Sequence, residues 1–314
     1  MADHKSIETE CIHAGEPLPR VQGAVTLPIF QSSTFEMGDV GLRYIRMNNT
    51  PNHEALHAKI AALEGAEAAA ITSSGMSAIS TAFMALLRHG DHILIPDCLY
   101  GGTHAFVTQE LSKVGITYDC IDLAQPNTWK DKLRPTTRII YAESITNPLM
   151  QVGELDAVVR FARDFNLVSM IDNTFTSPLN YQAAAAGFDL VLHSCTKYLN
   201  GHSDLVAGAV AGRADLMKKV AQTLIHYGGS LNPIDCFLLQ RGIKTLHVRM
   251  RQHNENALAL ARFLEAHPAV AQVKYPGLES APDYARARKL FKGCSGMLSF
   301  TLKGGLEAAE RVLE

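Results

Sequence analysis

The sequence predicts an α/β protein organised around a mainly parallel sheet. Between residue 51 and about residue 243, short apolar runs typical of buried strands alternate with longer segments of helical spacing. Such alternation indicates crossover units, in which a helix connects two parallel strands. The sequence has no internal repeats and no low-complexity linker. The alternation is therefore the main evidence for the fold.

The elements follow one another in a regular order. The first fifty residues carry little periodicity and many turn-forming residues, which predicts an extended arm. A helix follows, with Asn52 as its predicted N-cap, a helically spaced apolar face and Gly65 as its stop signal. A second helix is predicted to begin after the Ser-Ser-Gly turn at residues 73–75 and to end near Gly90.

The rest of the chain is predicted to supply most of the sheet. The predicted strands are residues 92–96, 116–121, 138–142, 167–171 and 190–192, with a helix over residues 154–165 before the fourth strand. A long helix begins at about residue 243, where the alternating pattern ends. We place a domain boundary there. It divides the chain into an N-terminal arm (1–50), a large domain (51–245) and a C-terminal domain (246–314).

Composition excludes several classes of protein. Of the 314 residues, 47% are hydrophobic and 19% are charged, which is typical of a globular protein. The formal net charge of −2 provides no general attraction for nucleic acid or membrane surfaces. No apolar stretch has transmembrane length, and the first residues lack the features of a signal peptide. The six cysteines include no C-x-x-C pair, so we expect a cytoplasmic protein without metal or disulfides.

Two residues at predicted strand ends suggest a cofactor. Lys197 follows the apolar run 190–192, and Asp172 ends the run 167–171. A deprotonated amine is a nucleophile toward an aldehyde, and burial beside a strand would favour that form. A lysine that holds an aldehyde and a carboxylate that keeps a pyridine nitrogen protonated are the two requirements of a pyridoxal phosphate site. Either residue alone is better explained as an ordinary loop residue.

Further residues at strand ends fit the same cofactor. The Ser-Ser-Gly-Met-Ser run at residues 73–77 stands at a helix start, where free N–H groups favour a phosphate, although such turns often only cap a helix. Tyr100 follows a strand and can stack on a planar ring, or it can be an ordinary core tyrosine. Asn147 can donate to a cofactor oxygen. Tyr44 and Arg46 supply a phenol and a guanidinium suited to phosphate.

Taken in this order, these segments resemble the Cys/Met-metabolism family of pyridoxal phosphate enzymes. The family includes cystathionine γ-synthase, cystathionine β- and γ-lyases, methionine γ-lyase and the O-acetylhomoserine sulfhydrylases. The resemblance runs from about residue 28 to the end and is densest at residues 97–103, 172–175, 194–204 and 241–249. It implies the type I fold of pyridoxal phosphate-dependent transferases. It also implies that the small C-terminal α+β domain is incomplete here.

The resemblance implies a role for each residue. Lys197 would bind the cofactor aldehyde and then move protons, while Asp172 would pair with the pyridine nitrogen. Tyr100 would stack on the ring, and Asn147 would hydrogen-bond its phenolic oxygen. We expect Lys197, Tyr100 and Tyr44 to take part in catalysis.

The phosphate would be bound from two subunits. Its ligands within one chain would be Gly75, Met76, Ser194 and Thr196. Tyr44 and Arg46 match the family's Tyr-x-Arg pair, which reaches the phosphate of the neighbouring subunit. This implies a homo-oligomer that is at least a dimer and, as is usual in the family, a tetramer.

The predicted reaction is carbon–sulfur bond cleavage in a sulfur amino acid. Methionine γ-lyases tend to carry a cysteine two residues after the stacking tyrosine, where this chain has Gly102. Residues 230–235 and 244–249 look most like cystathionine lyases and synthases. We therefore expect a cystathionine γ-lyase or β-lyase, with γ-synthase or sulfhydrylase activity as the alternative. Relatives also read Asn-Pro-Thr where this chain has Asn-Thr-Pro-Asn at 49–52.

Two other hypotheses remain at this point. The chain stops at Glu314, before the segment in which relatives carry the arginine for the substrate carboxylate, so an inactive truncated homologue is one of them. The other is a zinc peptidase, because residues 53–57 read His-Glu-Ala-Leu-His. His53 and His57 would share a helix face, with Glu54 as general base. A solvated helix face is the more ordinary explanation.

Overall fold

A seven-stranded sheet forms the centre of the protein. The computed structural model describes residues 6–38 and 41–313. The strands are β1 (Ala68–Thr72), β2 (His92–Pro96), β3 (Thr117–Ile121), β4 (Thr137–Glu143), β5 (Val168–Asp172), β6 (Leu190–Ser194) and β7 (Gly208–Gly212). Their order in the sheet is β1-β7-β6-β5-β4-β2-β3. The predicted α/β class and the five predicted strands are confirmed, with shifts of a residue or two at their ends.

The sheet is mainly parallel, as predicted. Strands β3, β2, β4, β5 and β6 pair in parallel, whereas β7 lies antiparallel between β6 and β1. Strands β1 and β7 were not predicted. Strand β1 is rich in alanine and β7 in alanine and glycine, residues with low strand propensity, and neither strand alternates in polarity. Their strand conformation is therefore decided by pairing within the sheet.

Helices cover both faces of the sheet. The described helices of the chain are α1 (Ile7–His13), α2 (Pro51–Glu64), α3 (Gly75–Leu86), α4 (Gly101–Ala105), α5 (Leu155–Asp164), α6 (Ser177–Asn180), α7 (Ala214–Tyr227), α8 (Pro233–Ile243), α9 (Leu246–Ala266), α10 (Tyr284–Leu290) and α11 (Gly305–Leu313). On one face, α3 and α7 pack on a core that includes Ile139 and Met170. On the other face, α5 packs against Ile140, while α2 and α8 pack against Ile71. No helix among residues 6–38 and 41–313 is long and apolar enough to cross a membrane.

The N-cap of helix α2 lies two residues before the predicted N-cap. Thr50 is the N-cap and Pro51 the first helical residue, so the prediction for Asn52 was wrong. The buried Asn52 side chain instead accepts a hydrogen bond from Phe30 N–H and donates one to Pro28 C=O. It thereby ties the N-terminal arm to the large domain. The prediction for the other end is confirmed, since Gly65 closes the helix in the left-handed conformation with φ of 67°.

The N-terminal arm contains an element that was not predicted. Most of it is irregular, as expected, but helix α1 lies within it. The Lys59 ammonium of α2 donates to the carbonyl oxygens of Cys11 and Ile12, at 3.0 and 3.1 Å, near the end of α1. Lys59 is fully buried, and this burial lowers its pKa to about 8. The helix therefore depends on a side chain about fifty residues away in the sequence.

The C-terminal part begins with the long helix α9. A two-stranded antiparallel sheet follows, formed by β8 (Val270–Lys274) and β9 (Ser299–Leu302), together with α10 and α11. The first turns of α9 are buried against the large domain through Leu246 and Met250. The domain boundary at residue 245 stays a prediction.

Candidate active site

A cleft lies at the carboxyl ends of the parallel strands, where such sheets bind ligands. It has a volume of about 1020 Å³ and receives residues that follow β2, β4, β5 and β6, as well as the first turn of α3. Eight of the ten predicted site residues line it, namely Gly75, Met76, Tyr100, Asn147, Asp172, Ser194, Thr196 and Lys197. The fold therefore brings together side chains that are spread over more than a hundred residues of sequence.

Asp172 is a carboxylate without a cationic partner. Its Oδ1 accepts a hydrogen bond from Thr174 N–H at 2.9 Å, and it forms no ion pair within the described part of the chain. The side chain lines the cleft, and burial raises its pKa above the ordinary value. A ligand that offers a protonated ring nitrogen would supply the missing positive charge. The site thus fits the pyridine nitrogen of pyridoxal phosphate.

Lys197 lies in the turn that follows β6. Its side chain is exposed to the cleft, so the expected burial beside the strand is wrong. The reason is that β6 ends at Ser194, and the turn over residues 195–200 carries the lysine out of the sheet. The amine forms no hydrogen bond or ion pair with any described residue. It is therefore a primary amine available to an aldehyde within the same cleft as Asp172.

The N-terminus of α3 and the end of β6 form the two sides of a small cradle. Ser74 caps the helix, and its Oγ accepts a hydrogen bond from Ser77 N–H at 2.9 Å. A Cβ placed on Gly75 would lie 2.8 Å from Ser194 Cβ, so only glycine permits this approach. Helix N–H groups and the Ser194 hydroxyl are donors of the kind that a phosphate requires, while the Thr196 hydroxyl donates to Ala207 C=O at 3.2 Å. This cradle fits the cofactor phosphate.

Glu143 is a cleft residue that the sequence analysis missed. It ends β4, and its Oε1 accepts a hydrogen bond from Tyr100 N–H at 2.7 Å. Its Oε2 accepts one from Asn147 N–H at 3.2 Å. The side chain is buried, and this burial together with the nearby Asp172 charge raises the pKa of Glu143 to about 8. One carboxyl group thereby connects the loops that carry Tyr100 and Asn147.

Thr174 is a second residue that was missed. Its Oγ1 accepts a hydrogen bond from Ser194 N–H at 2.8 Å, while its own N–H donates to Asp172. It therefore links the ends of β5 and β6 beneath the cleft. A signal for Glu143 was available, because that carboxylate follows an apolar strand just as Asp172 does. No comparable signal distinguishes Thr174 from other loop threonines.

Tyr44 and Arg46 lie outside the cleft of their own chain. Arg46 Nη1 donates a hydrogen bond to Ile225 C=O at 3.0 Å, and its guanidinium carbon lies 5.4 Å from the centre of the Tyr44 ring. Both side chains are exposed. The structure thus places this pair on the surface, apart from the other eight predicted residues.

The His-Glu-Ala-Leu-His run lies on α2, but its histidines have other partners. The His53 ring contacts Thr50 Oγ1 at 2.8 Å and Leu231 C=O at 2.7 Å, so both its nitrogens are engaged. His57 Nε2 lies 3.3 Å from Asn48 Nδ2, and Glu54 pairs with Arg43. No group of three metal-binding side chains forms within residues 6–38 and 41–313. The zinc peptidase hypothesis therefore has no support in the structure.

Known proteins resemble this chain over nearly its whole length. The profile of the family described as Cys/Met metabolism PLP-dependent enzyme matches residues 8–314. A probable cystathionine gamma-synthase of Herpetosiphon aurantiacus is 42% identical over 310 residues, covering 97% of each chain. The L-methionine gamma-lyase of Porphyromonas gingivalis is 40% identical over 320 residues, covering 97% of this chain and 80% of that protein. Cystathionine gamma-lyase from Lactobacillus plantarum, solved with L-serine, superposes with a TM-score of 0.91 at 36% identity, covering 95% of this chain and 79% of that one.

Proposed function

The chain belongs to the Cys/Met metabolism family of pyridoxal phosphate-dependent enzymes, and we propose that within it the protein is a carbon–sulfur lyase acting on cystathionine. The fold is the type I fold of these enzymes, and the cofactor is pyridoxal phosphate. The proposal concerns the substrate, the reaction and the residues that perform it. The sulfur of the substrate would leave from Cβ or Cγ.

One observation carries the proposal. Lys197 and Asp172 line the same cleft, and neither has a partner of opposite charge within the described residues. Pyridoxal phosphate, when bound, provides an electron sink that stabilises negative charge at the substrate Cα. Asp172 would hold the ring nitrogen in its protonated form. The Lys197 amine would hold the aldehyde until the substrate amine takes its place. The freed amine would then remove the proton from the substrate Cα and give a proton to the departing sulfur.

The remaining cleft residues would orient the reacting groups. Tyr100 would pack on the face of the ring, while the Asn147 amide would donate to the ring oxygen. Glu143 fixes the backbone of both residues through its two hydrogen bonds. Gly75, Met76, Ser194 and Thr196 would hold the phosphate at the other end of the cleft. Such positioning raises the rate by reducing the motion needed to reach the transition state.

Gly102 favours a cystathionine enzyme over a methionine γ-lyase. A Cβ at this position would lie 2.5 Å from Tyr100 Cε1 and 3.0 Å from Met76 Sδ. A cysteine could not enter here without displacing the Tyr100 ring. Cystathionine γ-synthase is a second candidate, because the Herpetosiphon aurantiacus relative with that name is 42% identical across nearly its whole length.

Product analysis separates these reactions. The cofactor-loaded protein is given cystathionine, and the products are identified by chromatography. Cysteine with 2-oxobutyrate indicates γ-elimination, and homocysteine with pyruvate indicates β-elimination. Formation of cystathionine from cysteine and an acylated homoserine, without lyase activity, would instead support the synthase.

The matched variants of this assay are Lys197→Ala and Lys218→Ala. Lys218 is an exposed lysine on α7. We expect the first change to lower activity by about 10²–10⁴-fold or more, since a positioned proton-transfer group contributes that factor. The second should leave activity unchanged. Full activity of Lys197→Ala would contradict the proposed role of Lys197.

We also propose that the protein is a homo-oligomer in which Tyr44 and Arg46 complete the site of a neighbouring subunit. Their exposed positions outside their own cleft support this arrangement. Co-expression of Arg46→Ala with Lys197→Ala tests it. Mixed oligomers would recover part of the activity, because some sites would combine an intact Lys197 with an intact Arg46. No recovery would mean that Arg46 serves its own chain.

A cytoplasmic location is part of the same proposal. All six cysteines are free, and Cys11, Cys195, Cys236 and Cys294 are buried. Free thiols persist in reducing compartments, which supports an intracellular setting. Fractionation of the source cells, followed by detection of the protein in the soluble fraction, would test it.

A further inference from the structure

The turn that carries Lys197 is bound by an arginine from the C-terminal part of the chain. Arg249, in the first turns of α9, donates from Nη1 to Tyr198 C=O at 2.7 Å and from Nη2 to Leu199 C=O at 3.3 Å. The same guanidinium donates to Gly242 C=O at 2.9 Å and, through Nε, to Thr245 Oγ1 at 2.9 Å. Four hydrogen bonds thus fix the arginine between α8, α9 and the lysine turn.

The two turn carbonyls depend on this arginine. Within the described chain, Tyr198 C=O and Leu199 C=O accept hydrogen bonds only from Arg249. The Leu199 residue is buried, so its carbonyl has little access to water. Removing the guanidinium would leave these acceptors without a donor, and an unsatisfied buried carbonyl is unfavourable. The turn would then have to rearrange to find other partners.

The backbone next to the turn is shaped around the guanidinium. Gly201 has φ of +74°, and a Cβ on it would lie 2.0 Å from Arg249 Nη1. Glycine therefore leaves the space that the arginine occupies. Arg249 has no carboxylate partner in the described residues, and burial lowers its pKa. Its hydrogen bonds to carbonyl groups are consequently the main interaction that holds it.

Apolar contacts support the same junction. Tyr198 packs edge-on against His253 of α9, with ring centres 5.1 Å apart. Leu199 lies in one core cluster with Leu246 and Met250 of α9. These contacts hold the side chains that follow Lys197, whereas Arg249 holds the backbone. The backbone contacts decide where the Lys197 Cα stands relative to the cleft.

We propose that Arg249 is a positioning residue for Lys197, through which helix α9 sets the location of the reactive amine. The proposal rests on the proposed role of Lys197. Arg249 does not line the cleft, so it acts through the turn and does not touch the substrate. The guanidinium fork matches two neighbouring carbonyls, a geometry that the single ammonium of lysine does not reproduce.

Three variants of the whole chain test the proposal. Arg249→Ala removes the guanidinium, and Arg249→Lys keeps the charge but loses the fork. Arg251→Ala is the matched control, since Arg251 lies on the same helix, is exposed and forms no hydrogen bond to a described residue. Amide hydrogen exchange is measured first without cofactor at Lys197, Asn200 and Gly201, whose N–H groups form the hydrogen bonds of the turn. Steady-state kinetics and thermal unfolding follow.

We expect faster exchange at these three amides in Arg249→Ala and an intermediate rate in Arg249→Lys. We also expect kcat to fall about 10²-fold with little change in KM, because a displacement of about 1 Å in a reacting group has an effect of that size. Arg251→Ala should match the wild type. If Arg249→Ala does not fold, Arg249→Lys provides the same comparison.

Unchanged exchange in a folded Arg249 variant would overturn the proposal. So would a loss of activity explained fully by a lower melting temperature. Borohydride trapping distinguishes failure of the Arg249 proposal from failure of the proposed role of Lys197. If the cofactor is not trapped on Lys197 in the wild type, the role of Lys197 is wrong, whereas the exchange data report on the turn alone.

Discussion

Glu143 and Asp172 stand directly opposite each other at the ends of neighbouring strands. They are paired in the register of β4 and β5, and both side chains line the cleft. Burial raises the pKa of each carboxyl group, and the Asp172 charge further raises the pKa of Glu143. Asp172 must be ionised to pair with a protonated ring nitrogen of the cofactor. A neutral Glu143 would therefore favour cofactor binding.

The first prediction concerns the pH dependence of stability without cofactor. The pKa of Glu143 rises from an ordinary 4.5 to about 8 on folding. The folded state then binds more protons than the unfolded state between these values, so this contribution to stability decreases as the pH rises from about 4.5 to 8. The Glu143→Gln variant lacks this pH-dependent contribution to stability. We expect its free energy of unfolding to improve relative to wild type with rising pH, by at most about 1.4 kcal/mol per pH unit.

Urea unfolding at pH 5, 6, 7 and 8 would measure this difference. Glu279→Gln is the control, because Glu279 is exposed and makes no hydrogen bond with a described residue. A constant difference between Glu143→Gln and the wild type across this range would show that Glu143 does not titrate there.

The second prediction is that Asp172→Asn weakens cofactor binding. The amide keeps the shape of the side chain but provides no negative charge for the ring nitrogen. A change of one charge-assisted hydrogen bond is worth about 1.5–3 kcal/mol, so we expect pyridoxal phosphate to bind roughly tenfold to a hundredfold more weakly. Titration followed by visible absorption would measure the affinity. Asp164→Asn, on the exposed end of α5, should bind the cofactor normally.

The third prediction concerns the cradle between α3 and β6. Gly75→Ala would place a methyl group 2.8 Å from Ser194 Cβ and 3.0 Å from Ser194 Cα. Because the second contact is with backbone, the helix start and the strand end must separate. Overpacking of this kind costs about 1–3 kcal/mol, and we expect a comparable loss of affinity for the cofactor phosphate. Gly38→Ala, where a Cβ meets no atom within 4 Å, is the control. Equal affinities of the two variants would argue against a phosphate at this position.

Much of this fold could be predicted because local signals agree with the final packing. Gly65 stops α2 as predicted, and strand β2 carries four consecutive apolar residues after His92 and is buried on both sides. The site could be predicted because the carboxyl ends of parallel strands meet at one edge. Asp172 and Lys197 follow two neighbouring strands, so the topology brings them into the same cleft.

The features that the sequence did not predict depend on contacts between residues that are far apart in the sequence. Strand β7 consists of glycine and alanine around a single valine, and it forms because β1 and β6 pair with it on either side. Helix α1 ends at carbonyls that Lys59 satisfies. The exposure of Lys197 follows from a turn whose backbone is held by Arg249. None of these contacts leaves a periodic pattern in the sequence.

The last prediction is that metal has no role in stability and that His53 is structural. Its Nε2 donates to Leu231 C=O and its Nδ1 accepts from the Thr50 hydroxyl, so the ring joins the start of α2 to the segment before α8. Burial lowers its pKa, which favours the neutral ring that this arrangement needs. We expect His53→Ala to lower the free energy of unfolding by about 1–3 kcal/mol, because two buried partners lose their hydrogen bonds. A chelator should leave the melting temperature of the wild type unchanged, and the variant should contain as little zinc as the wild type. Zinc at one equivalent per chain, lost together with stability in His53→Ala, would restore the metal-site hypothesis.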